Sequence, residues 1–99
     1  MWHKYKCKDF SKTGNVTLPN QWRQQFGLVP GRQAEICYDE ESIVIKKPEQ
    51  HSTNNKRYIS EKGAIHIPKE IRDISGIKPQ QEFCLFVDEQ DKCFILKVI

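Results

Sequence analysis

The sequence predicts a mainly β fold with short helices, built from two ββαββ repeats that share one core. Three observations predict it. Gly14-Asn15-Val16-Thr17-Leu18-Pro19, followed by Arg23 and Phe26-Gly27-Leu28-Val29-Pro30-Gly31, returns 49 residues later as Gly63-Ala64-Ile65-His66-Ile67-Pro68, Arg72 and Ser75-Gly76-Ile77-Lys78-Pro79. Four of the six identities in that register (Ser11/Ser60, Gly14/Gly63, Pro19/Pro68, Arg23/Arg72, Gly27/Gly76, Pro30/Pro79) are Gly or Pro, the residues that fix backbone geometry. Second, Phe10/Ile59, Val16/Ile65, Leu18/Ile67, Leu28/Ile77 and Ile36/Leu85 keep apolar type, so the copies share core positions as well as turns. Third, a repeat of roughly 40 residues is near the size below which a chain needs a disulfide, a metal or a partner to fold. The other repeat is the natural partner.

Each element follows in order. Residues 4–10 alternate as a strand, with Lys4, Lys6 and Lys8 on the side read as exposed. Ser11 to Gly14 is a turn of small polar residues ending in a Gly free to take positive φ. Asn15 to Leu18 is a short strand. Pro19 suits the first position of a helix and Gly27 its C-terminal cap, which frames a helix of about seven residues. Trp22 and Phe26, at i and i+4, share its apolar face, with Arg23 turned away. Val29-Pro30-Gly31 fits a type II turn. Ala34, Ile36 and Tyr38 alternate, Asp39 to Ser42 turns, and Ile43-Val44-Ile45 returns as the second arm of a hairpin. The chain is thus read as a first repeat over 1–47, a linker over 48–56 without large apolar side chains, and a second repeat over 57–99. Phe10, Trp22 and Phe26 are expected in the core. Trp2 is expected to cap the core or to mark a self-association surface.

Charge divides each repeat. Net charge is +3, but residues 1–26 carry +4 and 27–49 carry −2, while 51–75 carry +2 and 76–99 carry −1. Two basic first halves form one basic face if the copies pack together. Cys7, Cys37, Cys84 and Cys93 contain no Cys-x-x-Cys pair and are expected to be reduced thiols. His3, His51 and His66 are scattered, so no metal or other cofactor is expected. No apolar run approaches a membrane span and no apolar leader precedes the first strand, so a cytoplasmic, nucleoid-associated protein is expected. Nothing supports an enzyme: the sequence has no paired carboxylate set, no supported Ser/His/Asp arrangement and no glycine-rich phosphate loop.

Both copies resemble the AbrB/SpoVT/MazE-type superfamily. The residues that carry the resemblance are Lys8, Gly14, Val16-Thr17-Leu18-Pro19, Arg23, Phe26-Gly27-Leu28-Val29-Pro30-Gly31 and Ile43-Val44-Ile45-Lys46. The second copy has Arg57, Gly63, Ile65-His66-Ile67-Pro68, Arg72, Gly76-Ile77-Lys78-Pro79 and Phe94-Ile95-Leu96-Lys97. The tandem arrangement is similar to that of MraZ-like proteins, in a shorter chain. The resemblance implies a swapped-hairpin β-barrel, here formed as a pseudo-dimer within one chain. It also implies a transcriptional regulator of bacterial or phage type that binds double-stranded DNA. The side chains it implies for DNA contact are Lys8 and Arg57 on the first strands, Lys12 and Lys62 in the turns, Arg23 and Arg72 on the helices, and Lys69. Where DNA binders often carry Arg after the turn glycine, this chain has Asn15 and Ala64. Asn15 can hydrogen-bond a phosphate or a base edge and Ala64 cannot, so asymmetric contact is expected.

Two expectations follow for the arginines. If they serve DNA alone, replacing Arg23 and Arg72 by Ala abolishes binding and moves the melting temperature by only a few degrees; the structural alternative is a surface salt bridge such as Arg23 with Glu35. The second functional reading is a protein-interaction module, either antitoxin-like or a modulator that associates with related regulators, besides self-association. No membrane partner and no small-molecule substrate are expected.

Overall fold

The computed structural model describes residues 2–39 and 41–99. Strands dominate: β1 (Trp2–Asp9), β2 (Asn15–Thr17), β3 (Gln33–Asp39), β4 (Ser42–Lys46), β5 (Asn55–Tyr58), β6 (Ala64–His66), β7 (Glu82–Asp88) and β8 (Cys93–Val98). Two short helices, α1 (Asn20–Gln25) and α2 (Lys69–Ser75), separate them. Six strands form one antiparallel sheet in the order β1-β7-β8-β4-β3-β5, and β2 pairs with β6 in a separate two-stranded ribbon. Glu40, within the expected β3–β4 turn, and Met1 lie outside the described residues.

Only the hairpins β3–β4 and β7–β8 pair within a copy. The other four pairings, β1·β7, β5·β3, β4·β8 and β2·β6, join one copy to the other. The registers are symmetric under exchange of the copies: Asn15↔His66, Val16↔Ile65 and Thr17↔Ala64 centre on Val16/Ile65, and Ile43↔Leu96, Val44↔Ile95 and Ile45↔Phe94 centre on Val44/Ile95. This interleaving answers the size problem. Neither copy encloses its apolar residues alone, and together they bury one cluster that includes Phe10, Val16, Leu18, Phe26, Leu28, Ile36, Ile59, Ile65, Ile67, Phe83 and Phe94.

The helices end where the glycines stand. Leu28 N–H donates to Arg23 C=O at 2.8 Å and Gly27 N–H to Gln24 C=O at 3.2 Å, with Gly27 at φ 76°, a Schellman closure of α1. Pro19 sits one residue outside the helix, as its N-cap. Both repeats then make a type II turn, which the sequence predicts at Val29-Pro30-Gly31. Arg32 N–H donates to Val29 C=O at 3.1 Å, and Gln81 N–H donates to Lys78 C=O at 2.9 Å. The left-handed position is Gly31 in the first copy and Gln80, at φ 67°, in the second.

Several expectations are corrected. The six-stranded sheet does not close into a barrel: β1 and β5 remain as its edges. Arg23 is not turned away from the core but is buried, and Glu35 is not its partner; the fully buried Glu35 carboxylate instead accepts from the Glu49 backbone N–H and the Asn54 side chain. Trp22 is half-buried at the core margin, stacking edge-on against Tyr5. A bulge at Tyr5, where Lys4 pairs Phe86 but Lys6 pairs Leu85, interrupts the alternation of β1. Lys8 is half-buried rather than exposed, and β5 begins two residues inside the expected linker. Cys7 and Cys84 are not free thiols: they face each other across β1 and β7 and form a disulfide, whereas Cys37 and Cys93 are free. Burial, with the charges of Asp88 and Asp91, pushes the Cys93 thiol up to about 11, which leaves it a poor nucleophile at neutral pH. No described helix is long and apolar enough to cross a membrane.

Candidate nucleic-acid interface

The β2·β6 ribbon places its apolar residues, Val16 and Ile65, on the core and its alternate residues outside. Asn15, Thr17 and His66 are exposed and Ala64 is half-buried beside them. The period of two in each three-residue strand creates this division. Asn15 and His66 are cross-strand partners, and Asn15 Oδ1 lies 3.1 Å from His66 Nδ1. The turns Ser11–Gly14 and Ser60–Gly63 flank the ribbon and expose Lys12 and Lys62. Each turn is tied to the other copy's strand: Leu18 N–H donates to Gly63 C=O at 2.9 Å and Ile67 N–H to Gly14 C=O at 2.8 Å.

Beneath the turns lie the two helix arginines, each over the other copy's glycine. A Cβ on Gly63 would stand 2.6 Å from Arg23 Cζ, and one on Gly14 would stand 3.6 Å from Arg72 Cζ and 3.0 Å from His66 Cε1. Arg23 donates to Leu18 C=O and, at 2.9 Å, to Asn20 Oδ1; Arg72 donates to Ile67 C=O at 3.1 Å. In each case the carbonyl belongs to the residue before the helix-opening proline. Each guanidinium therefore holds its own strand end while packing against the other copy's turn, and at Gly63 glycine is the residue that leaves room for it. The repeated Gly and Arg were visible in the sequence, but their contact across copies was not.

The remaining candidates diverge. Lys8 Nζ reaches Thr17 C=O on β2 at 3.4 Å, which brings it to the ribbon. Burial, and then the neighbouring Lys6 charge, hold its ammonium below the ordinary lysine value. An ammonium so placed gains from an approaching anion. Arg57, its counterpart, bends back to the Lys56 carbonyl of its own strand at 2.8 Å. Lys69 is exposed and paired with Asp73 at 3.0 Å. The structure thus gathers Lys8, Lys12, Asn15, Arg23, Lys62 and Arg72 around the ribbon and leaves Arg57 and Lys69 otherwise engaged. Thr17 and His66 complete the polar face; strand alternation was the signal that pointed to them. Among the described residues, no group of three or more His, Cys, Asp or Glu side chains is placed to hold a metal ion.

No family model and no curated protein matches the chain. Among solved structures, the solution structure of PHS018 from Pyrococcus horikoshii is similar to it, with 24% identity and a TM-score of 0.54, over 97% of this chain and 87% of that one. The likeness is one of fold.

Proposed function

We propose that this protein binds duplex DNA as a transcriptional regulator of bacterial or phage type, and that its interleaved repeats are an AbrB-like swapped-hairpin pseudo-dimer in one chain. The single observation that carries the reading is the exposed polar face of the β2·β6 ribbon, set between Lys12 and Lys62, with Lys8 beside it and the guanidinium groups of Arg23 and Arg72 beneath. A two-stranded ribbon fits a major groove, and lysines on flanking turns suit the phosphates on either side. With Asn15 facing His66 and Ala64 facing Thr17, direct base contacts are few. Sequence preference then comes largely from DNA shape.

The test is fluorescence anisotropy of labelled A·T-rich and mixed-sequence duplexes at several salt concentrations. A fall of log K with log salt at a slope of about −4 to −6, or roughly 0.9 per phosphate neutralised, supports the reading. No binding at low salt overturns it.

A second reading rests on β1. This eight-residue edge strand exposes Trp2 and Tyr5 and offers unpaired backbone groups to another chain, such as a related regulator. Sizing the protein alone and mixed with such a regulator separates the two readings.

A further inference from the structure

The two copies act as controls for one another: what the fold requires recurs in both, and what differs in charge and shape answers to something else. One such difference lies away from the ribbon. A cleft of about 410 Å³ is lined by Gly27, Gly31, Arg32, Gln33, Lys47, Pro48 and Tyr58. In the register of the repeats Arg32, Gln33 and Tyr58 correspond to Gln81, Glu82 and Asp9, and in the register of the hairpins Lys47 corresponds to Val98. The cleft therefore carries two bases and an aromatic ring, where the corresponding positions of the second copy hold two acids and no ring. Because the second copy folds the same way with Asp9, Gln81 and Val98, the fold itself demands none of Arg32, Lys47 or Tyr58.

Those three side chains are also unspent. Tyr58, on the short edge strand β5 opposite Gln33, is 69% exposed, the highest value among the large hydrophobic residues described. Neither Arg32 nor Lys47 has an ion-pair partner among the described residues. The Lys47 stem lies along Gly27, where a Cβ would come 3.7 Å from its Cδ, and the type II turn at Val29–Arg32 fixes the base of Arg32. An exposed ring stacks on a planar group, and two unpaired cations attract a phosphate, with Arg able to hold it through paired N–H groups.

We propose that this cleft binds a nucleotide, with the base on Tyr58 and the phosphate held by Arg32 and Lys47. The volume falls within the range of small-ligand sites, about 300–1,000 Å³. A free nucleotide and an unpaired nucleotide in a strand share this chemistry.

The test follows amide shifts of the uniformly ¹⁵N-labelled full chain during titration with metal-free ATP, with ribose 5-phosphate and with a short single-stranded oligonucleotide. ATP is expected to move the amides of Gly27, Gly31, Gln33 and Tyr58, and ribose 5-phosphate to bind about tenfold more weakly for want of a base to stack. The same titrations are made on Arg32→Gln/Lys47→Val/Tyr58→Asp, which carries the second copy's residues, and on Tyr58→Ala alone. The triple variant is expected to lose more than about tenfold in affinity, and Tyr58→Ala to bring ATP down to the level of ribose 5-phosphate. Tighter binding of the oligonucleotide than of ATP assigns the site to a strand; the reverse assigns it to a free nucleotide. Failure of ATP and oligonucleotide alike to move those amides at millimolar concentration overturns the proposal. So does equal affinity in Tyr58→Ala, which keeps the test decisive if the triple variant does not fold.

Discussion

The guanidinium of Arg23 lies against Gly63, so closely that a Cβ there would stand 2.6 Å from its Cζ. Gly63 also sits at φ 81°. Gly63→Ala is therefore expected to suffer twice, from a left-handed backbone on an L-residue and from displacement of a buried charged side chain, for a total of about 2–3 kcal/mol. Gly14→Ala carries the same backbone strain at φ 79°, but its nearest neighbour, at 3.0 Å, is the edge of the exposed His66 ring. A loss of about 1 kcal/mol is expected there. Urea unfolding of both variants checks the order; equal losses would mean that Arg23 yields as easily as His66.

Burial revises what Arg23 does. At 7% exposure it holds the Leu18 carbonyl and Asn20 Oδ1, so Arg23→Ala takes the side-chain donor from the Leu18 carbonyl, leaves Asn20 Oδ1 only Gln24 Nε2 at 3.5 Å, and opens a void under Gly63. The expected loss is about 2 kcal/mol, or roughly 10 °C in melting temperature for a domain of this size. Arg72→Ala, at a half-buried site, is expected to lose less than about 1 kcal/mol. Thermal melts decide it: equal and small shifts would return Arg23 to the surface role the sequence predicts. A larger loss at Arg23 would make it a positioning residue for the turn that carries Lys62, with Arg72 the more available to a phosphate.

The second copy keeps a strained residue where the first has glycine. Gln80 adopts φ 67° at the third position of the Lys78–Gln81 turn, the place of Gly31 in the Val29–Arg32 turn. A type II turn favours glycine there. Gln80→Gly is expected to raise stability by about 0.5–1 kcal/mol, because relief of left-handed strain exceeds the added freedom of the unfolded chain. Gly31→Ala is expected to lower it by a similar amount. Equilibrium unfolding in urea measures both, and a destabilised Gln80→Gly would show that the glutamine side chain contributes contacts that outweigh the strain.

Much of this architecture was legible in the sequence because turns are written in Gly and Pro. The Gly14 and Gly63 turns, the Schellman closure at Gly27 and the type II turn at Gly31 follow from local chemistry. The pairing of β1 with β7 and β5 with β3 does not, since a strand's pattern says which face is buried and not whose edge it meets. Arg23 was misread for a related reason. The helix pattern put it beside Trp22 and Phe26, but the surface that covers it is the other copy's turn. The partnership of Cys7 with Cys84, 77 residues apart, obeys no spacing rule and depends on the cross-copy register alone.

Glu35 makes stability depend on pH. Its burial by itself would raise the carboxyl's proton affinity, but hydrogen bonds from Asn54, the Glu49 amide and Ser52, with the Lys46 charge 3.9 Å away, hold it below the ordinary value of 4.5. An acid depressed in the folded state contributes stability that is fully present above the unfolded value and lost as pH falls through the folded one. Wild type is therefore expected to weaken below about pH 4.5 more steeply than Glu35→Gln, which is less stable at neutral pH by about 1–3 kcal/mol. Unfolding curves of the pair between neutral pH and pH 3 measure the difference, and parallel pH profiles would remove Glu35 as its source.

At the position where the first copy buries Glu35 opposite Lys56, the second has Cys84 opposite Cys7. The two sheet edges are thereby held by different means, β5 by pairing with β3 and by polar groups of the linker, β1 by a covalent bond to β7. Closing a loop with a sequence separation of 77 residues removes freedom from the unfolded chain, commonly worth about 2–4 kcal/mol. Cys7→Ala/Cys84→Ala, or dithiothreitol on the wild type, is expected to lower stability by that amount. Hydrogen exchange localises the effect: β1 amides are expected to lose protection beyond the global change, because this edge strand is paired on one side alone, with β7, and carries Trp2, Lys4 and Lys6 exposed. β5 amides are expected to follow the global change alone. Uniform loss along both edges would mean that the bridge acts only through the unfolded state, and an unchanged melting temperature on reduction would mean that it contributes nothing.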